Sequence, residues 1–313
     1  MKPSLLRLTQ AARELPRFSW QFLRKDPRHF QIAALSCLLL YGVLYLRLEV
    51  RPLYAAVALG VALLTQWAGT RLAGLPAFDP RSALISGLSL SLLLRADALV
   101  WVALAAVVAV GSKFVLRVGG KHLFNPTNFG IVVLMVATGQ VWVSPGQWGS
   151  AAWFAFLLAC LGSLVVYRSA RSDVTLAFLG FYTALLLARA TWLGQTYRIP
   201  FHQVESGALL IFAFFMISDP KTTPDSRAGR ILFAGLVAVG AGFVSFVLYR
   251  QNGLLLSLAA FSLLVPVLDR LLPGARYSWG GGKGLEGQGH KGLQGLKGHG
   301  IGAVGVGARL EPN

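Results

Sequence analysis

Two short polar stretches, residues 121–130 and 215–224, hold the side chains best placed to do chemistry, and each abuts an apolar run. The first contains Asn125, Pro126, Thr127 and Asn128, preceded by Lys121 and His122. The second contains Ser218, Asp219 and Pro220, followed by Lys221, Thr222 and Thr223. Asn or Asp followed by Pro is a strong helix start, because the polar side chain accepts from free N–H groups and proline fits the first turn. Read as structure alone, both are ordinary helix caps. Read as chemistry, two caps rich in N–H donors and flanked by lysines and threonines suit an anionic or carbonyl-rich ligand.

Other chemistries lack residues. Cys37 and Cys160 each sit inside an apolar run with no CxxC partner, so neither a disulfide framework nor a thiolate metal site is expected. The five histidines show no paired spacing, and no metal is expected. No Ser-His-Asp set, phosphate-binding glycine loop or HExxH motif occurs, which leaves hydrolase and nucleotidase readings without support.

The elements that position the two polar stretches are apolar. The chain has 313 residues, 55% hydrophobic and 13% charged, with a mean hydropathy of +0.61. A chain this poor in charge cannot cover a water-facing surface. Apolar segments fall at approximately 31–48, 53–69, 82–94, 97–116, 124–140, 148–167, 172–190, 204–217, 229–249 and 252–271. They predict an all-α integral membrane protein with about ten transmembrane segments. Segments three and eight are too short to cross a bilayer as plain helices, which need about 20 residues. Such elements are tolerated where they are buried in protein or line a cavity.

Segment three carries Ser86 and Gly87, and segment eight carries Ser206 and Gly207. Each is the third of five segments in its half, which predicts two inverted five-segment repeats with function at their interface. The domain reading is a basic amphipathic N-terminal segment (1–29), a first membrane repeat (30–140), a second (141–272) and a Gly-rich flexible tail (273–313). The N-terminal segment reads as an uncleaved start. Glu205 opens segment eight as an ion ligand or a solvated carboxylate, and Arg95 with Asp97 reads as an interfacial pair.

The net charge of +17 does not signal nucleic acid, because basic residues are clustered between apolar runs and form no stripe. With the N-terminus inside, 23 of the 29 Lys and Arg residues fall on the inner connections, a positive-inside pattern that puts both termini in the cytoplasm.

Phe124-Asn125-Pro126 with Phe129-Gly130, and Phe214 to Pro220 with Thr222, resemble two signatures of the RnfD/NqrB family of membrane electron-transport subunits. Ser82 to Leu88 resembles the family's third-segment signature, and Pro266-Val-Leu-Asp269 its C-terminal end. The resemblance implies ten helices in two inverted halves, in outline like urea and ammonium transporters. It implies flavin-mediated electron transfer coupled to ion movement within a multisubunit complex of the bacterial inner membrane, a membrane oxidoreductase. Family members tether FMN to a threonine in a long loop between helices five and six. Here residues 139–148 contain no threonine, and Ser144 is the sole hydroxyl.

Covalent FMN is therefore not expected. A noncovalent flavin, FMN or riboflavin, is expected at Asn125, Pro126, Thr127, Asn128, Ser218, Asp219, Lys221, Thr222 and Thr223, with Ser86, Gly87, Ser206 and Gly207 of the short segments. Expected partners are the lipid bilayer and other membrane or redox subunits. The alternative is a channel or transporter of a small solute or ion on the same scaffold.

Overall fold

A computed structural model of the chain describes residues 26–44, 50–143 and 152–277, with the side chains of 152–157 left aside. The helices fall on the apolar segments. In the first half they are α1 (Pro27–Leu44), α2 (Pro52–Leu72), α3 (Arg81–Leu93), α4 (Leu99–Val115) and α5 (Pro126–Thr138). In the second half α6 (Ala152–Arg168) and α7 (Ser172–Trp192) are followed by a broken segment, α8 (Arg198–Val204) and α9 (Gly207–Ile211). Next come α10 (Arg227–Phe246), α11 (Gly253–Ser262) and α12 (Val265–Leu271).

Three of these helices, α2, α7 and α10, are long and apolar enough to cross a membrane. Counting the bent pairs α8–α9 and α11–α12 as single spans raises this to five, fewer than the ten segments read from hydropathy. The helices α3 and α5 have 13 residues each, which is why they fall short. The bundle's outer faces carry large exposed apolar side chains, among them Leu44, Leu72, Val136 and Trp192, an arrangement suited to lipid rather than water.

The same helix pairs meet in each half. Helix α2 packs on α3 and α4, and α4 on α5; α7 packs on α10, and α10 on α11. Helix α1 lies on α3, and α6 lies on α9 and the turn that follows it. Between the halves α1 meets α6, and α5 meets α11. Close approach needs small residues: a Cβ on Gly130 would stand 2.7 Å from the Ala105 carbonyl oxygen and 2.8 Å from Ala109 Cβ. The interior is filled by Leu35, Leu38, Leu90 and Ile131 on one side and Phe178, Phe212 and Phe233 on the other.

The two short segments end differently. Helix α3 stops at Leu93 and continues as strand β1 (Leu94–Ala96), before the two-residue strands β2 (Arg117–Val118) and β3 (Lys121–His122), which pair with each other. Strand β1 pairs antiparallel with β4 (Val141–Val143), directly after α5. The eighth segment breaks by 46° between α8 and α9, where Ser206 caps the new helix by accepting from Leu209 N at 3.3 Å. A π turn then runs over Phe212–Met216, one extra residue wound into the ladder, a feature frequent at functional sites. The 51° break between α11 and α12 coincides with Pro266, which has no N–H to continue the ladder.

Candidate functional site

The two polar stretches meet. Asn125 caps α5, its Oδ1 accepting from Asn128 N at 3.0 Å. Its Nδ2 reaches across to the other half, donating to Asp219 Oδ2 at 3.3 Å and to the Met216 carbonyl at 3.4 Å. Asp219 follows the π turn and organises a tight loop: its Oδ1 accepts from Lys221 N at 3.0 Å. Its carbonyl accepts from the hydroxyls of Thr222 (3.3 Å) and Thr223 (3.1 Å). Asn128 Nδ2 donates to the Leu255 carbonyl of α11 at 3.1 Å, a second tie between halves. Burial pushes the Asp219 carboxyl up, opposed by the Lys221 N–H, the Lys113 ammonium, Asn125 and Arg171.

Around this core lie cations that hydropathy alone does not single out. Lys113, on the last turn of α4, is 4% exposed and donates to Ser82 Oγ at 3.1 Å. Arg171, in the turn between α6 and α7, is 5% exposed and donates through Nε to Thr223 Oγ1 at 3.1 Å. Lys221 Nζ donates to the Tyr277 carbonyl at 3.1 Å. His122 lies under the same loops; burial, with Arg117, Lys113 and Lys221 nearby, lowers its pKa to about 4. A charge inside an apolar run is the available signal for Lys113. In the sequence Arg171 bears only on orientation.

Two ion networks bind the same end of the bundle. Lys121 Nζ contacts Asp225 Oδ1 at 3.0 Å and Asp269 Oδ2 at 2.7 Å, joining the α4–α5 connection to both ends of the last helices. Asp225 N in turn donates to Asp269 Oδ1 at 2.8 Å. Arg28 bridges Asp26 and Asp79, each at 2.6 Å, and Arg81 holds the same two carboxylates. Asp79 is consequently held at about 2 by its arginine partners, against the opposing effect of burial.

The remaining expected residues serve their own elements. Pro126 and Thr127 are buried in the first turn of α5, and Ser218 Oγ donates to the Phe214 carbonyl. Ser86 Oγ donates to the Ser82 carbonyl, and Gly87 lets α3 lie against Leu59 of α2, where a Cβ would be 2.9 Å from Leu59 Cδ2. Gly207 is buried at the start of α9, whereas Glu205 is exposed. Arg95 and Asp97 form no ion pair among the described residues; Arg95 donates to the carbonyls of Leu94 and Ser91. At the opposite end a cavity of about 600 Å³ opens beside β1 and β4, lined by Arg51, Tyr54, Arg95 and Trp142. The N-terminal segment 1–25, Ser144 and the tail beyond Tyr277 lie outside the described residues.

An α-helical membrane bundle whose halves meet through capped polar turns is the class these observations define. Residues 140–278 match the model of the NQR2, RnfD, RnfE family. The D subunit of an ion-translocating oxidoreductase complex from Stutzerimonas stutzeri is 27% identical over 271 residues, covering 61% of this chain and 73% of that protein. Proteins of the same name from Actinobacillus pleuropneumoniae serotype 7 and Escherichia coli (strain SE11) are 29% and 28% identical over 123 and 125 residues. Those two matches span 34% of each relative's length. The chain is thus similar to the NQR2, RnfD, RnfE family over its second half, the same family its motifs resemble.

Proposed function

We propose that the chain is an RnfD-like membrane subunit of an ion-translocating oxidoreductase complex, built as ten segments in two inverted halves, which holds a flavin noncovalently between them. The repeated helix pairings support the two-half architecture. The observation that carries the site is the Asn125–Asp219 contact, where one signature from each half converges in a buried position. The residues present fit a flavin. Asn128 Oδ1 is buried without a donor among the described residues and suits an imide N–H, and the Lys221 ammonium on the Asp219 loop adds a cationic donor.

When bound, a flavin supplies reversible one- and two-electron chemistry, and the protein contributes binding, orientation and electrostatics. Asn125 and Asp219 fix the distance between the halves. Lys113 and Arg171 place positive charge next to the Asp219 carboxyl, which favours electron-rich ligands there. Buried Phe214, Phe215 and Met216 exclude water from the same turn.

A second reading, a solute or ion channel on the same scaffold, draws on residues 139–148, which lack the threonine that tethers FMN in the resembled family.

The deciding experiment is an absorbance spectrum of the purified protein before and after acid precipitation. Flavin released into the acid supernatant is the expected result. Flavin retained in the precipitate would contradict noncovalent binding. A colourless protein that conducts solute in liposomes would establish the channel reading.

A further inference from the structure

Arg171 is 5% exposed, yet its guanidinium is not fully used. Its Nε is taken by Thr223 Oγ1 at 3.1 Å, and its Nη1 by the Ala170 carbonyl at 3.2 Å. Its Nη2 is buried and has no acceptor among the described residues. The neighbouring carboxylates are already engaged: Asp173 is held by Arg230 at 2.6 Å, Asp225 by Lys121 at 3.0 Å, and Asp219 by Asn125 and the Lys221 N–H. A guanidinium stays charged at any pH a protein meets, so its burial calls for a counter-charge.

The surroundings favour an oxyanion. Arg171 is the N-cap of the 21-residue helix α7, whose positive end adds to the guanidinium's field. The Tyr277 ring lies over the same place, its centroid 5.0 Å from the Arg171 guanidinium and 5.9 Å from Lys221 Nζ. A tyrosine face bordered by two cations is held by its ring quadrupole, a contact weaker than an oxyanion bound to the fork of an arginine.

The geometry points to a phosphate-binding site at Arg171 Nη2, with Thr223 aiming the guanidinium, Lys221 as the second cation and Tyr277 as its cover. The phosphate belongs to a soluble ligand or to a lipid headgroup. On the flavin reading proposed above, on which this part rests, it makes FMN rather than riboflavin the preferred ligand. Thr223 joins the two sites directly, because its hydroxyl accepts from Arg171 and donates to the Asp219 carbonyl.

The test uses the full chain in detergent and its Arg171→Gln variant, followed by thermal unfolding with four probes: inorganic phosphate, FMN, riboflavin and phosphatidylglycerol in mixed micelles. Chloride at equal ionic strength is the control. We expect at least one phosphate-bearing probe to raise the wild-type midpoint by several degrees and to leave R171Q unmoved. FMN is expected to bind at least tenfold more tightly than riboflavin to wild type, and equally to R171Q. A response to FMN or inorganic phosphate assigns the site to a soluble ligand, and a response confined to phosphatidylglycerol assigns it to lipid.

If phosphate-bearing probes act on both proteins alike, or on neither, the site is refuted. Binding of riboflavin as tight as FMN, with phosphate inert, would leave the flavin reading standing and this inference overturned. Inorganic phosphate acting through Arg171 while neither flavin binds would do the reverse. Should R171Q not fold, Thr223→Val keeps the charge and removes the hydroxyl that aims it, along with that hydroxyl's bond to the Asp219 carbonyl; a phosphate response weakened severalfold is then the expected result, and an unchanged one overturns the proposal.

Discussion

The Nδ2 of Asn125 lies 3.3 Å from Oδ2 of Asp219, so the residue that starts α5 also holds the turn that ends the broken eighth segment. Asn125→Ala removes the cap on Asn128 and the bridge at once. Loss of the cap alone costs about 1–2 kcal/mol. We expect a lower unfolding midpoint in detergent and at least a tenfold loss of retained flavin. Asp219→Asn keeps the shape and should unfold close to wild type while still losing ligand. In a double-mutant cycle the two changes should be non-additive by about 0.5–3 kcal/mol, as contacting residues are.

His122 makes the fold acid-sensitive. Its folded pKa is lowered from 6.5 to about 4, so the folded state keeps the imidazole neutral while the unfolded chain takes a proton. The stability this represents is present above about pH 6.5 and is lost as pH falls toward 4, by at most on the order of 3 kcal/mol. Asp219 runs the other way: its raised pKa gives a contribution that is full in acid and fades as pH rises through the folded value. Denaturation followed from pH 7.5 to 4.5 should show wild type weakening on acidification and His122→Gln with a flatter profile. Equal slopes would remove His122 from this role.

Lys121 sits between two carboxylates, Asp225 at 3.0 Å and Asp269 at 2.7 Å, with all three side chains largely buried. Lys121→Met leaves two like charges facing each other without a counter-ion, which costs about 3–5 kcal/mol for a buried pair broken on one side. The triple variant K121M with Asp225→Asn and Asp269→Asn should recover much of that loss. Midpoints from thermal unfolding would decide, and a triple variant no better than K121M would argue against electrostatics as the cause.

Much of this arrangement was legible in the residues. Hydropathy located the helices because each apolar run is bounded by charges, and the short runs at 82–94 and 204–217 marked the elements that end in a strand and a π turn. The Asn-Pro step starts α5 because capping chemistry is local, whereas no helix starts at Asp219-Pro220: Asp219 closes a turn onto Lys221 N, and the next helix is capped by Ser226. What hydropathy could not resolve was the shortness of α5: the apolar run reads as 124–140, but the helix ends after 13 residues. Nor could it reveal Arg171, whose partner Thr223 is 52 positions away. The expected Arg95–Asp97 pair is not formed because Arg95 donates instead to the carbonyls of Leu94 and Ser91.

Ala170 adopts φ +52° in the turn between α6 and α7, a left-handed conformation that glycine takes without steric penalty. The turn closes α6, with Arg171 N donating to the Val166 carbonyl at 2.9 Å. Ala170→Gly should stabilise the protein by roughly 1 kcal/mol, because an L side chain in this region is strained by about 1–2 kcal/mol and glycine's looser unfolded state returns only part of it. A midpoint that falls instead would mean the methyl group makes contacts that outweigh the strain.

The β1–β4 ribbon has a consequence for how this fold can change. Leu94 faces Val143 and Ala96 faces Val141, so the chain leaving α5 is stitched to the end of α3 before it goes on toward α6. Sequence spliced in after Val143 would hang from that stitch, and its length would not be transmitted to the helices. A lineage could therefore gain or shed a whole cofactor-bearing loop there in a single step, and the remaining bundle would keep its shape while its chemistry changed.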